Sequence, residues 1–187
     1  MEQVNRIRRR VRRWARLGIG MIAAAAILIA AQSPGPRPEY EVKAVFLLNF
    51  TRFITWPPEA FADSYGVFRI CVLGEDPFHD VLDQVVEGES VGARKIVVAR
   101  LNRAPGTRSC QVLFIGKGEK DVSGILERVG PGVLTVGEDP GFLRQGGIIN
   151  FALDGRHVRF DINQRAAASA SLTISARLLN VARTVQK

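Results

Sequence analysis

Three apolar runs set the pattern of the chain. Residues 67–77 (VFRICVLGEDP) alternate Phe68, Ile70 and Val72 along an extended segment that stops at Gly74. Residues 109–116 (SCQVLFIG) repeat the arrangement, and residues 134–140 (LTVGEDP) repeat it down to the same GEDP ending. Apolar runs that close on glycine before a helix-like stretch predict buried strands of a parallel sheet with crossover helices. Asp76-Pro77 and Asp139-Pro140 read as helix starts, since a carboxylate caps free amides and proline suits the first helical position.

The other elements follow from the same periodicities. A helix is predicted over 39–53, with Val42, Val45, Phe46, Leu48, Phe50 and Phe53 spread around most of its circumference and Lys43, Asn49 and Arg52 on a polar edge. Trp56-Pro57-Pro58 ends it, with Trp56 as a core anchor. Helices over 78–86 and 121–129 alternate with strands over 93–101, 110–116 and from 134. Beyond a short helical turn up to Gln145 the pattern changes. Residues 147–153 and 157–162 alternate about Asp154-Gly155, which predicts an antiparallel hairpin. Asn163 is placed to cap a last helical region over 166–185, with a weak point at 172–173. The predicted fold class is α/β: a mostly parallel sheet with crossover helices, plus a C-terminal antiparallel hairpin and helix.

Charge changes the picture at one end only. The 187 residues carry a formal net charge of +8, but residues 1–16 hold seven arginines against Glu2 and account for +6 of it. The basic character therefore belongs to a leader, and no nucleic-acid partner is expected. Residues 17–31 (LGIGMIAAAAILIAA) are uncharged and apolar, short of the roughly 20 residues of a spanning helix. The expected organisation is a signal peptide over 1–31, a Pro/Gly linker over 32–38 and an α/β domain over 39–187. Paired arginines also raise a twin-arginine signal, although the apolar pair expected behind one is poorly matched. An uncleaved anchor is the alternative, and both place the domain outside the cytoplasm.

The two cysteines, Cys71 and Cys110, are 39 residues apart. In an oxidising compartment they read as a disulfide, or else as two small apolar side chains that never meet. With His79 and His157 they have no metal-ligand spacing, and no metal or other cofactor is expected. The carboxyl ends of parallel strands form the usual ligand edge, which would carry Glu75 and Glu138. Gly116-Lys117-Gly118 supplies only half of a dinucleotide fingerprint, with Asp121 where its last glycine belongs. No serine lies in a nucleophile elbow, and neither histidine has a recognisable partner. The chain does not read as an enzyme.

Residues 46–57 (FLLNFTRFITWP), 68–78 (FRICVLGEDPF), 147–163 (GIINFALDGRHVRFDIN) and 178–183 (LLNVAR) together resemble the YfiR family of exported proteins. The resemblance implies a periplasmic regulator that represses an inner-membrane diguanylate cyclase by binding its periplasmic sensor region, lowering cyclic di-GMP and biofilm formation. It also implies a homodimer and an inter-strand bond between Cys71 and Cys110. A second cysteine pair, expected from the family's type member, is missing after Cys110. For partner binding the candidates are Phe151, Arg159, Asn163 and Arg177, an aromatic anchor with polar neighbours. Equally, Phe151 can lie in the core and the arginines on solvated faces. The alternative function is a periplasmic small-ligand-binding module serving a transporter or sensor kinase, with its ligand at Glu75 and Glu138.

Overall fold

Helix α1 (Pro38–Phe53) lies against a mixed sheet through Ala44, Leu47 and Phe50, all fully buried. The computed structural model describes residues 38–62, 66–102 and 104–187, which fall in one compact unit, 36–187. The leader and linker expected over 1–31 and 32–37 lie outside the described residues. Among those described, no helix is long and apolar enough to cross a membrane.

Chain order runs from α1 into β1 (Ile54–Thr55), β2 (Val67–Leu73), α2 (Asp80–Val86), β3 (Ser90–Val91) and β4 (Arg94–Leu101). β5 (Val112–Ile115), α3 (Val122–Arg128), β6 (Leu134–Gly137), β7 (Ile149–Asp154) and β8 (His157–Asn163) follow. The chain closes with α4 (Gln164–Ser169), β9 (Thr173–Ile174), α5 (Ala176–Val181) and β10 (Thr184–Gln186). The main sheet has the order β10-β8-β7-β6-β5-β2-β4-β3, and β1 pairs with β9 in a separate two-stranded piece. β4, β2, β5, β6 and β7 are mutually parallel. β8 returns antiparallel to β7. The predicted class, a mostly parallel sheet with an antiparallel hairpin added, is therefore the observed one.

The sheet is buried on both faces, as near-continuous apolar strands require. Phe68, Ile70 and Val72 of β2 point toward α1 and the larger core, with Phe114, Phe151 and Phe160. Cys71 and Leu73 point the other way, into a smaller core with Leu113, Ile115, Val122, Ile125 and Phe142. Trp56 is the anchor the sequence predicts: it stands edge-on to Phe68, and its Nε1 donates to the Gln111 carbonyl at 3.1 Å.

Four expectations need correction. Asp76 does not cap a helix. Its Oδ1 accepts from the Phe78 amide and its Oδ2 from Arg100, while α2 begins only at Asp80, after His79 at φ +48°. After Asp139-Pro140 there is no long helix either, only a 3-10 turn over Leu143–Gln145. The hairpin strands run further than predicted, to Asp154 and from His157, so the turn is Gly155-Arg156 with Gly155 at φ +60°. Finally, the C-terminal region is not one helix. Asn163 caps α4 by accepting from the Ala166 amide, as expected, but the chain turns through Ser171 at φ +59°. β-Branched Thr173 and Ile174 then pair with β1, Ser175 caps α5, and β10 joins the edge of β8.

Candidate functional site

α1 reverses part of the facing expected of it. Tyr40, Lys43, Ala44, Leu47 and Phe50 follow the 3-4 spacing that buries one stripe of a helix, so Lys43 goes inward with them. It is 2% exposed, although the sequence suggested a polar edge. Val42 and Val45, read as part of the apolar surface to be buried, are 45% and 46% exposed.

Buried Lys43 meets Glu138 at the carboxyl edge of the sheet, just past β6. Lys43 Nζ donates to Glu138 Oε2 at 2.5 Å, and Tyr40 Oη donates to the same carboxylate at 3.1 Å. The ammonium lies 3.6 Å from Glu39 and 4.3 Å from the centre of the Tyr40 ring. Lys117, largely exposed, approaches Glu138 to 3.9 Å. A buried pair of this kind stands only because each charge has a near partner and further hydrogen bonds.

Glu138 lines a cleft of about 420 Å³ together with Lys43, Lys117, Asn150, Leu153, Asp161 and Arg183, among others. β6 ends at Gly137, opposite Asn150, whereas β7 runs on to Asp154, so the cleft opens where β7 loses its neighbour on that side. Asp161 and Arg183 form a two-pronged ion pair, Nε to Oδ1 and Nη2 to Oδ2. Burial pushes the Asp161 carboxyl up, but Arg183 and Thr184 outweigh it and hold the group below its usual range. Hydrogen bonding to Asp161 raises Arg183 in turn.

The two acids expected to share a ligand edge do not form one site. Glu138 lines the cleft with its carboxylate already engaged, while Glu75 is exposed on the loop after β2 and does not line it. Nearby, exposed Arg100 clamps that loop. It bonds Asp83, Asp76 and the His79 carbonyl, and its guanidinium is pushed above its ordinary value, chiefly by the hydrogen bond to Asp83.

The four candidate partner-binding residues do not share a surface. Phe151 is 2% exposed and packs on Phe50, Phe46 and Phe160's neighbourhood in the larger core, so its ring is no surface anchor. Asn163 is occupied as the cap of α4 and also donates to the Leu143 carbonyl. Arg159 and Arg177 are exposed. Arg159 alternates with core-facing Val158 and Phe160, so it projects from the sheet face opposite α1. Arg177 sits on α5, which packs beside α1 and carries Val181, 56% exposed. Cys71 and Cys110 are bonded, with Cα atoms 5.9 Å apart.

Lys43, Tyr40, Asn150, Asp161 and Arg183 were not singled out from the sequence. For Lys43 a signal existed, since it stands three residues after Tyr40 and four before Leu47 on the inward stripe. Asn150 and Asp161 carried one too, as polar residues in strands whose other face is apolar.

Two solved structures were compared with the chain. A conserved domain protein from Vibrio cholerae O1 biovar El Tor aligns at 12% identity with a TM-score of 0.47, covering 67% of this chain and 57% of its own. The ABC domain in complex with L-Trp from Streptococcus pneumonia aligns at 10% identity and 0.49, covering 76% and 60%. The chain thus spans about three fifths of the length of either. No curated protein matches it. The family model described as YfiR/HmsC-like matches residues 40–183.

Proposed function

The chain belongs to the YfiR/HmsC-like family, and on that premise we propose that it is an exported, non-enzymatic regulator that works by binding. Its target in this reading is the periplasmic region of an inner-membrane diguanylate cyclase, which it holds inactive so that cyclic di-GMP and biofilm formation stay low. The observation that carries the reading is the extent of the family match, which takes in every element from α1 to α5. The cationic, apolar leader read from residues 1–31 supports export.

The protein surface offers a place for such binding. Val42 and Val45 on α1, with Val181 and Arg177 on neighbouring α5, put half-exposed aliphatic groups next to a guanidinium, the mixture that interface centres favour. We assign partner contact to this face, shared between the cyclase and a second copy of the chain. Arg159 contacts a partner only if the partner also reaches the opposite sheet face. Phe151 and Asn163 contribute by holding the hairpin and α4 in shape.

The test is cellular cyclic di-GMP after deletion of the gene in its native host. Deletion raises the level; the full chain restores it, and a chain lacking residues 1–31 and held in the cytoplasm does not. A Val42→Glu/Val45→Glu chain folds, because both sites are half exposed, yet fails to restore repression. An unchanged level on deletion, while the protein is expressed, would sink the cyclase assignment.

A further inference from the structure

The cleft beside β7 contains more buried polarity than the fold needs. Of the eight buried polar side chains among the described residues, four line it: Lys43, Glu138, Asn150 and Asp161. Three of these are engaged, Lys43 with Glu138 and Asp161 with Arg183. The fourth is not. Asn150 is 8% exposed, and its amide donates to the Phe151 carbonyl at 3.2 Å, but its Oδ1 is buried with no hydrogen-bond partner. Turning the amide over would set oxygen against the Phe151 carbonyl, so the orphan is an acceptor. Buried acceptors are normally satisfied, and leaving one unmet is destabilising unless something fills the place.

We propose that this cleft binds a small, neutral, polyhydroxylated molecule, a monosaccharide or polyol, with one ligand hydroxyl donating to Asn150 Oδ1. The charge balance selects neutrality. Lys43, Lys117 and Arg183 face Glu138, Asp139 and Asp161, three cations against three anions, so no net field favours a charged ligand. The paired charges keep fixed donors and acceptors along the wall, which suits a ligand able to do both from every hydroxyl. Leu153, 49% exposed on the rim, supplies an apolar surface for the C–H face of a sugar ring. The volume, about 420 Å³, is in the range of small-molecule sites.

This proposal does not depend on the regulatory reading, because binding is measured on the protein alone. The full chain is titrated by calorimetry and by amide chemical shifts with D-glucose, D-mannose, N-acetyl-D-glucosamine and sorbitol, and with gluconate and glucosamine as charged counterparts. At least one neutral probe binds saturably, more tightly than either charged one, and shifts amides of β7 and residues 137–140. Asn150→Leu weakens that binding by about tenfold or more, since a hydroxyl then meets no acceptor. Leu153→Arg, a rim change that leaves the core untouched, weakens it as well and covers the case of an Asn150 variant that does not fold. The proposal is overturned if no neutral probe saturates, if gluconate or glucosamine binds more tightly, or if neither variant changes the affinity. In the first case a bound water satisfies Asn150.

Discussion

Replacing Lys43 by methionine should be among the most damaging single changes this chain can suffer outside its aromatic core. The two side chains are similar in length, so no cavity arises; what is removed is the charge. Glu138, with its side chain 2% exposed, would keep the Tyr40 hydroxyl at 3.1 Å and Lys117 at 3.9 Å. Breaking a buried pair from one side costs about 3–5 kcal/mol, because the remaining charge is stranded away from water. Lys117 offsets part of this, but its side chain is 55% exposed, and an exposed partner contributes about 1 kcal/mol at most. The expected loss is therefore about 3 kcal/mol, near the lower end of the range. For a folded unit of this size that lowers the melting temperature by roughly 6–12 °C. Glu138→Gln should cost less, since Lys43 retains Glu39 at 3.6 Å. The double variant Lys43→Met/Glu138→Gln, with no stranded charge, should recover most of the loss. Urea unfolding of the four proteins, followed by far-UV circular dichroism at low and high salt, gives the coupling energy. It should exceed about 2 kcal/mol and change little with salt, because a buried pair is weakly screened. The reasoning is refuted if Lys43→Met costs less than about 1 kcal/mol, or if the double variant is as unstable as the two single losses added.

Three further outcomes are expected. Cys71→Ala/Cys110→Ala opens a covalent loop of about 40 residues and should lower unfolding stability by about 4 kcal/mol in the chain-entropy account, measured by urea unfolding. Asp161→Asn should destabilise the protein at neutral pH. The native carboxyl titrates below its unfolded value, so its contribution is complete above about pH 4 and vanishes as pH falls through the native pKa. The gap between wild type and variant should therefore close in acid, and a gap constant from pH 7 to pH 2 in thermal melts would contradict the pairing. Trp56→Phe removes the donor to the Gln111 carbonyl while keeping an aromatic ring on Phe68, and should cost about 1–2 kcal/mol by the same urea assay.

What the sequence conveyed was what is local. The strand periods at residues 67–73 and 149–163 hold because each side chain's face is fixed by its neighbours two residues away. The Asn163 cap was legible for the same reason: donor and acceptor are three residues apart. The failures each involve a distant partner. Asp76-Pro77 looks like a helix start, but Arg100 lies across the sheet edge and claims the carboxylate. Residues 173–186 carry helix-compatible residues, yet Thr173 and Ile174 find β1 and residues 184–186 find the edge of β8. Lys43 faces inward because Glu138, 95 residues away, receives it. The candidate site suffered most, since Asn150 and Asp161 acquire significance only once β7 outruns β6 and leaves a cleft.

The two sides of the sheet are unequal, and that inequality bears on what the disulfide does. The larger core, under α1, joins twenty-eight buried residues; the smaller one, under α3 and the turn at Leu143–Gln145, joins ten, and the cystine is two of them. A thin layer removes less apolar surface from water, so it holds the sheet less firmly. Cys71 in β2 and Cys110 just before β5 tie together two strands on that weaker side, and constraining the unfolded chain supplies stability that burial there does not. Both cysteines are also inaccessible, at 0% and 1% exposure. Thiol–disulfide exchange needs a thiolate to reach sulfur, so reduction must wait for the α3 layer to open. The rate of reduction by dithiothreitol should then reach a plateau set by that opening as reductant is raised, with the folded protein otherwise unreactive. A rate that keeps rising in proportion to dithiothreitol would mean that the sulfurs are reached in the closed fold and that the bond is open to redox control.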